Sequence, residues 1–467
     1  MGTSANSRLA KGTMVYMIGN LLSKVLQMLI LPVITAALAT SEYGYYDLVI
    51  TTISLVTPVI TLQFIEGMFR FLFKVSDEDK KQTISTVTAF LCCGLVVLGA
   101  IVVIIHFVVP SVKYPFLIYL NYISSVLLTY MQKLARCEQK NLQFAISGVL
   151  HTFVMLGCQV IALLVLHLGI DGMLAANCIS YIAAAAYLEI YVRAEKKFSL
   201  KNINKTRFKE LFRYSVPLVP NSVCWWLVSS SDRYIISFFL GTAASGIYSI
   251  AGKFSQLLTF ATSVFQLAWQ ESAIMEEDSK GRDKFYSDTF NTYMKLLLGG
   301  YLVILPFIRM AMPVLVAQDY QQGYLYNPVL LLGAVFSAFS QFYGSAYLVF
   351  KKTGGAFTTT VIAAVINVLI GIVLVPYIGL YAPAIGTAVS FGVQWLIRMY
   401  QMRDYFRVKI EVKNMLILIL CVVLVTACYY TQSMGIHIVS FVFGAAVCLY
   451  MNKNMILSFF RKLKPQN

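Results

Sequence analysis

Four cations lie in apolar surroundings where a charge is costly. Lys24 and Lys253 are deep inside apolar stretches long enough to cross a bilayer, and Arg70 and Arg233 lie in two more such stretches. A charge near the bilayer centre costs roughly 2.5 kcal/mol or more, so such residues are expected to face a water-filled path or to bind something of opposite sign. Asn20, Lys24 and Gln27, at i, i+4 and i+7, make one polar stripe on their helix. Counted from Gly12, Lys24 is about 18 Å along that helix, beyond easy snorkelling. Lys253 is about 13 Å inside its own stretch, with Gln256 and Ser263 continuing its face. The chemistry within reach is charge-assisted hydrogen bonding to an anion, with the guanidinium groups able to hold a phosphate bidentately. The competing reading is structural: a lysine paired with a carboxylate or with helix carbonyls.

Two carboxylates bear on that choice. Glu66 precedes Arg70 by four residues, the favourable orientation for an ion pair along one helix. Asp232 and Arg233 are adjacent, and neighbours i and i+1 do not share a helix face, so they are expected to point to different partners, with an ion pair at the outer surface standing as the alternative to substrate contact. Glu66 and Asp232 are also candidates for coupling to a proton or a sodium ion, with Glu189 and Glu271 as further ones.

The elements that position these residues follow from composition. Hydrophobic residues make up 58% of the chain and charged residues 12%, where a soluble domain has about a quarter charged; the mean hydropathy is +0.72. The chain reads as an all-α polytopic membrane protein with about fourteen transmembrane helices, each of about 20 apolar residues. The first four of interest are Gly12–Leu38, Tyr45–Phe73, Leu211–Leu240 and Ala244–Ala273. Odd-numbered connections such as Ala39–Gly44, Gly241–Ala243 and Tyr377–Gly379 are free of Lys and Arg, and Lys113 is the one cation in that set. Even-numbered connections and both termini hold the basic clusters, for example Lys74/Lys80/Lys81, Lys133/Arg136/Lys140 and Arg193 to Arg213. The positive-inside rule places that side, with both termini, in the cytoplasm.

The organisation expected is a lobe of six helices over residues 1–193, a basic cytoplasmic linker over 194–210, a second six-helix lobe over 211–410, and two C-terminal helices with a tail over 411–467. A short repeat supports the two lobes: Leu38-Ala39-Thr40, then Gly44 and Tyr46, is echoed by Leu240-Gly241-Thr242, then Gly246 and Tyr248. Both copies fall in the first loop of a six-helix block, in the same orientation. The linker is weakly amphipathic, as suits a connector at the lipid headgroups.

Several classes are disfavoured. The net charge of +16 comes without basic runs interleaved with aromatics, so nucleic acid is not the expected partner. Nine cysteines lack paired spacing and four histidines, His106, His151, His167 and His437, are scattered, so no metal site is expected. No phosphate-cradling glycine loop is present and the outer loops are short, so neither a cofactor nor an enzyme such as a membrane-embedded polymerase is expected.

These features resemble the polysaccharide-biosynthesis flippases, the Wzx-type oligosaccharide exporters of the MOP superfamily, whose relatives include lipid II flippases and MATE exporters. The resemblance is carried by Asn20, Lys24 and Pro32, by Glu42-Tyr43-Gly44-Tyr45-Tyr46-Asp47, and by Pro58 through Leu62-Gln63 to Phe69-Arg70-Phe71. It recurs in Tyr214, Pro217, Pro220 and Asn221 and in Ser231-Asp232-Arg233. It implies two lobes across a central cavity, moving a polyprenyl-pyrophosphate-linked oligosaccharide to the outer leaflet of a bacterial cytoplasmic membrane by alternating access. Lys24, Arg70, Arg233, Lys253, Asn20 and Gln27 are the substrate-binding candidates. Membrane lipids, a coupling proton or sodium ion, and a polysaccharide polymerase are the further partners to test. The alternative on the same fold is a MATE-type exporter of organic cations, which calls for acidic residues where basic ones dominate here.

Overall fold

The structure, a computed structural model, describes residues 26–72, 76–108, 113–276, 279–350, 352–453 and 455. All regular structure among the described residues is helical, the arrangement that lets each lipid-facing segment bond its own backbone. Among them, nine helical stretches are long and apolar enough to cross a membrane, and the bent pair Thr40–Ile60 with Phe64–Phe71 makes a tenth. One stretch holds two expected spans, because the helix Leu218–Met275 breaks at Gly241, whose φ of 85° a side chain would oppose. Two further expected spans, Pro115–Cys137 and Tyr381–Met402, have 23 and 22 residues, enough for about 30 Å of hydrocarbon. They are less apolar because each buries polar groups inside its unit, Asn121 and Ser124 in one, Gln394 and Arg398 in the other. With the shorter apolar helix Leu26–Ala37, each expected span has a helical counterpart.

The chain forms two compact units, Met1–Trp226 and Leu227–Asn467, with the boundary inside the helix that starts at Leu218. In the first, Thr40–Ile60 lies on Gly169–Val192 through Tyr45, Tyr46, Val49, Ile170 and Leu174. Asn177 Nδ2 donates to Tyr46 Oη at 2.7 Å across that contact. In the second, Ile236, Tyr248 and Ala251 lie on Leu380 and Ala384. Tyr46 and Tyr248 are the paired tyrosines of the sequence repeat, so the repeat extends to packing: second helix on sixth, eighth on twelfth. The chain also breaks at corresponding places. Leu38 and Ala39 are extended, with Glu42 Oε2 accepting from the Ala39 amide at 3.0 Å; Gly241 makes the matching break.

The basic stretch after the sixth span carries short helical elements of its own. After two short 3₁₀ turns, Asn204 Oδ1 caps the helix Lys205–Ser215 by accepting from the amides of Thr206 and Arg207 at 2.8 and 3.1 Å. Leu211 and Ser215 are fully buried. A long helix follows from Leu218, with Pro217, which has no amide hydrogen, separating the two helices.

The last two helices close on the second unit at glycines. Arg282–Leu315 packs against Val412–Tyr429 and Met434–Met451. A Cβ on Gly444 would lie 2.3 Å from the Leu302 carbonyl oxygen, and one on Gly299 would lie 2.8 Å from Cys448 Sγ. Backbone cannot yield as a side chain can, so Gly444→Val is expected to cost about 2 kcal/mol, seen as a lower Tm of the detergent-solubilised protein. An unchanged Tm would contradict this close approach.

Candidate substrate site at a broken helix

The second expected span does not run straight through. Pro58 withholds one backbone donor, and the helix Thr40–Ile60 ends two residues later. Leu62 and Gln63 then take φ of 43° and 57°, left-handed conformations that cost a non-glycine residue about 1–2 kcal/mol each. The chain re-enters helix at Phe64, bent by 57°. Burial holds the bend: Phe64 and Met68 have no exposed surface, and Phe64 stacks on Phe90 with ring centroids 4.0 Å apart. The Glu66 and Gly67 amides both donate to the Gln63 carbonyl at 3.0 Å.

Beside the break lies a cleft of about 430 Å³, lined by Ser54, Thr57, Thr61, Gln63, Glu66 and Ser222 together with Ser125, Thr129 and Tyr181. That volume falls in the range of about 300–1,000 Å³ usual for small-molecule sites. Most of its hydroxyl protons are directed inward. Thr57 donates to the Ile53 carbonyl and Thr61 to the Thr57 carbonyl, both at 2.7 Å. Ser54 donates to the Thr51 carbonyl at 2.7 Å and Gln63 Nε2 to Ser222 Oγ at 2.7 Å. Oxygen lone pairs are therefore what the polar part of the wall offers, beside Ile50, Ile53, Pro58 and Ile65, and these suit a hydroxyl-rich guest or a hydrated cation rather than a bare phosphate.

Cations gather next to this wall. Lys133 Nζ approaches Glu66 Oε1 at 2.6 Å. Lys133 and Arg136 both lie over the Phe69 ring, at 5.1 and 4.8 Å from its centroid. Arg70, on the same short helix, is exposed and makes no ion pair among the described residues. The expected Glu66–Arg70 pair is thus replaced by Glu66–Lys133. A helix i,i+4 pair is worth at most about 0.5 kcal/mol, and a half-buried lysine from another helix competes successfully with it.

The other candidates are placed as follows. Asn20 and Lys24 lie outside the described residues, and Gln27 is half-buried on the helix Leu26–Ala37. Lys253 is half-buried beyond the Gly241 break. Asp232 and Arg233 meet each other, although they are neighbours along the helix. Arg233 Nη1 donates to Asp232 Oδ1 at 2.9 Å and to the Ser229 carbonyl at 3.1 Å. Their side chains are only 15% and 10% exposed, for Arg233 and Asp232 respectively, so the guanidinium folds back to neutralise its neighbour.

One cation was not anticipated from sequence. Arg398 is 3% exposed and no carboxylate meets it among the described residues. Its Nε donates to Thr359 Oγ1 at 3.0 Å, Nη1 to the Ser340 carbonyl at 2.9 Å and to Ser340 Oγ at 3.2 Å, and Nη2 to Thr360 Oγ1 at 3.3 Å. It stands four residues before the end of Tyr381–Met402, where a sequence reading takes a cation for a membrane-edge residue.

Comparison with known proteins places this geometry in a family. The chain is 24% identical over 221 residues, 46% of its length, to the probable low-salt glycan biosynthesis flippase Agl15 of Haloferax volcanii, covering 46% of that protein. It is 21% identical over 256 residues, 51% of its length, to the uncharacterized membrane protein MJ1375 of Methanocaldococcus jannaschii, covering 59% of it. The chain thus spans about half the length of these relatives. Among solved structures, the lipid II flippase MurJ in an inward closed conformation matches with a TM-score of 0.71 at 14% identity, over 96% of this chain and 100% of that one. An inward-facing multidrug resistance MATE transporter of the MOP superfamily matches with 0.67 at 13% identity, over 82% and 95%. At such identities the likeness is one of fold. The family model described as Polysaccharide biosynthesis protein matches residues 9–270, more than half of the chain and the whole of the cleft. This bears out the resemblance read from the sequence: the chain belongs to the polysaccharide biosynthesis protein family.

Proposed function

We propose that this protein is a flippase that carries a polyprenyl-pyrophosphate-linked oligosaccharide from the cytoplasmic to the outer leaflet by alternating access, with both termini in the cytoplasm. The observation that supports it best is the pairing of two surfaces at the broken helix. Thr57, Thr61 and Gln63 present acceptors to sugar hydroxyls, while Arg70, Lys133 and Arg136 stand nearby for the phosphates. A broken intramembrane helix with polar groups at the break is a recurrent form of transporter site. In this reading Lys24 and Lys253, with Asn20 and Gln27, receive the pyrophosphate at other depths, so that no single grip is too tight to release. The charge of Arg233 is balanced by Asp232, which weakens Arg233 as a substrate contact. Glu66 and Asp232 remain the acids through which a proton or sodium ion would couple. With the cytoplasm negative, each outward-moving negative charge gains about 2.3 kcal/mol per 100 mV.

Arg70→Gln tests the reading at an exposed residue. Loss of one charge-assisted contact of about 1.5 kcal/mol is roughly tenfold, so flipping of a pyrophosphate-linked oligosaccharide in proteoliposomes is expected to fall about tenfold at unchanged protein level. An unchanged rate sinks this assignment of Arg70. One feature favours a second reading, export of organic cations: the cleft wall is rich in acceptors and includes Glu66. The Lys133 ion pair weighs against it. Tighter binding of an organic cation than of a pyrophosphate lipid would decide for export.

A further inference from the structure

Away from the broken helix, the first unit carries a second cleft. It measures about 410 Å³ and lies among the ends of spans, lined by Leu72, Asp77, Lys80, Lys81, Ile84, Leu134, Cys137, Glu138 and Lys197. Its walls divide by chemistry. Leu72 and Leu134 are buried apolar residues, and with Ile84 and Cys137 they give it a hydrocarbon side. The other side is ammonium groups in excess of the carboxylates they meet. Glu138 is shared between Lys140, at 2.7 Å, and Lys197, which also donates to the Val192 carbonyl. Lys80 meets Asp77 at 3.1 Å through a carboxylate that is 91% exposed, a pair of little energy. Lys81 is exposed and has no ion pair among the described residues. Three lysines of the lining thus stand against two carboxylates, one of which is shared with Lys140 outside the lining, at a cleft that is apolar on its other side.

We propose that this cleft holds the headgroup of an anionic phospholipid of the surrounding membrane, its phosphate among Lys80, Lys81 and Lys197 and its glycerol end against Leu72, Ile84 and Leu134. Three observations favour a lipid over a soluble anion. The cleft sits where apolar helices end, one wall is hydrocarbon, and the cations supply more positive charge than the protein itself neutralises. Basic pockets between membrane helices recognise acidic headgroups on this principle. The site shares no lining residue with the broken-helix cleft, so the inference stands apart from the flippase reading.

The test uses the full chain, purified in a neutral detergent and titrated with phosphatidylglycerol or phosphatidylcholine, with binding read by native mass spectrometry. The expected result is a preference for phosphatidylglycerol of tenfold or more, falling about fivefold for each lysine neutralised and nearly abolished in Lys80→Gln/Lys81→Gln. Both side chains reach solvent, so the double variant is expected to keep the wild-type Tm in detergent alone. Should it not, Lys81→Glu serves as the second arm, and is expected to remove most of the preference by itself. Lys113→Gln, at an exposed residue of a different loop, is expected to leave the preference intact. Full preference in the double variant and in Lys81→Glu overturns the proposal. So does complete displacement of the lipid by millimolar inorganic phosphate, which would assign the cleft to a soluble anion. No lipid-linked glycan is present in this experiment, so its outcome is independent of whether flipping is found.

Discussion

Gly344→Val is expected to unseat Arg398 and to destabilise the protein by about 3 kcal/mol or more. A Cβ at position 344 would lie 2.7 Å from Arg398 Nη1, closer than side-chain carbons come to such atoms, and valine adds two methyl groups beyond it. The guanidinium has nowhere comparable to go, because Ser340, Thr359 and Thr360 supply its partners from two neighbouring helices. Those hydroxyls are themselves tied in: Ser340 Oγ donates to Gln394 Oε1 at 2.7 Å, and Gln394 Nε2 donates to Thr360 Oγ1 at 3.3 Å. Displacement forfeits hydrogen bonds to a charged group, worth about 1.5–3 kcal/mol each, and leaves a buried charge with nothing opposite it. A domain stable by only about 5–15 kcal/mol would feel this strongly. The check is a double-mutant cycle on Tm and membrane level. Arg398→Met removes both the clashing group and the charge, and since the hydroxyls keep one another as partners, it is expected to tolerate Gly344→Val far better than the wild type does. Equal damage in both backgrounds would show that Arg398 is not what the new side chain strikes.

Lys253→Ala is expected to lower glycan export ten- to a hundredfold while leaving the amount of protein unchanged, and Lys24→Ala to do the same. The range corresponds to about 1.5–3 kcal/mol for a hydrogen bond made by a charged group to its anionic guest. Lys253→Arg keeps the charge and is expected to retain part of the activity, though the planar fork is not a copy of the ammonium. The measurement is surface polysaccharide in cells beside flipping in proteoliposomes, with Tm as the control for a structural role. Normal export from both alanine variants would remove the cationic path from the mechanism. A fall in Tm that matches the fall in export would assign Lys253 to the fold.

Much of the fold could be read from apolar runs and their punctuation. Even Pro115–Cys137 and Tyr381–Met402, too polar to qualify alone, were legible as the helical lengths left between basic and neutral connections. The separate helix Lys205–Ser215 was not, since Leu211 and Phe212 run on into the apolar residues of the next helix and only the geometry at Pro217 separates them. Leu62-Gln63 was visible as part of a family pattern, but nothing in the residue types announced two left-handed conformations. They are imposed by the burial of Phe64 and Met68. The ion pairs show the limits of local rules most plainly. Glu66 is claimed by Lys133, 67 residues away in sequence, and Arg233 bends back upon the residue beside it. Arg398 escaped because position along a helix resembles depth only when the helix is not wrapped by others.

The elbow at Leu62 and Gln63 has a mechanical consequence. Two residues held in a twist they would not choose make a loaded joint rather than a slack one, since straightening would release strain while exposing the aromatic anchor at Phe64. The acceptor oxygens of Thr57 and Thr61 and the carboxylate of Glu66 sit on opposite arms of that joint, so its angle sets their separation. A guest that bridges the arms acts as a wedge or a clamp on the joint, and its departure leaves the arms free to reset.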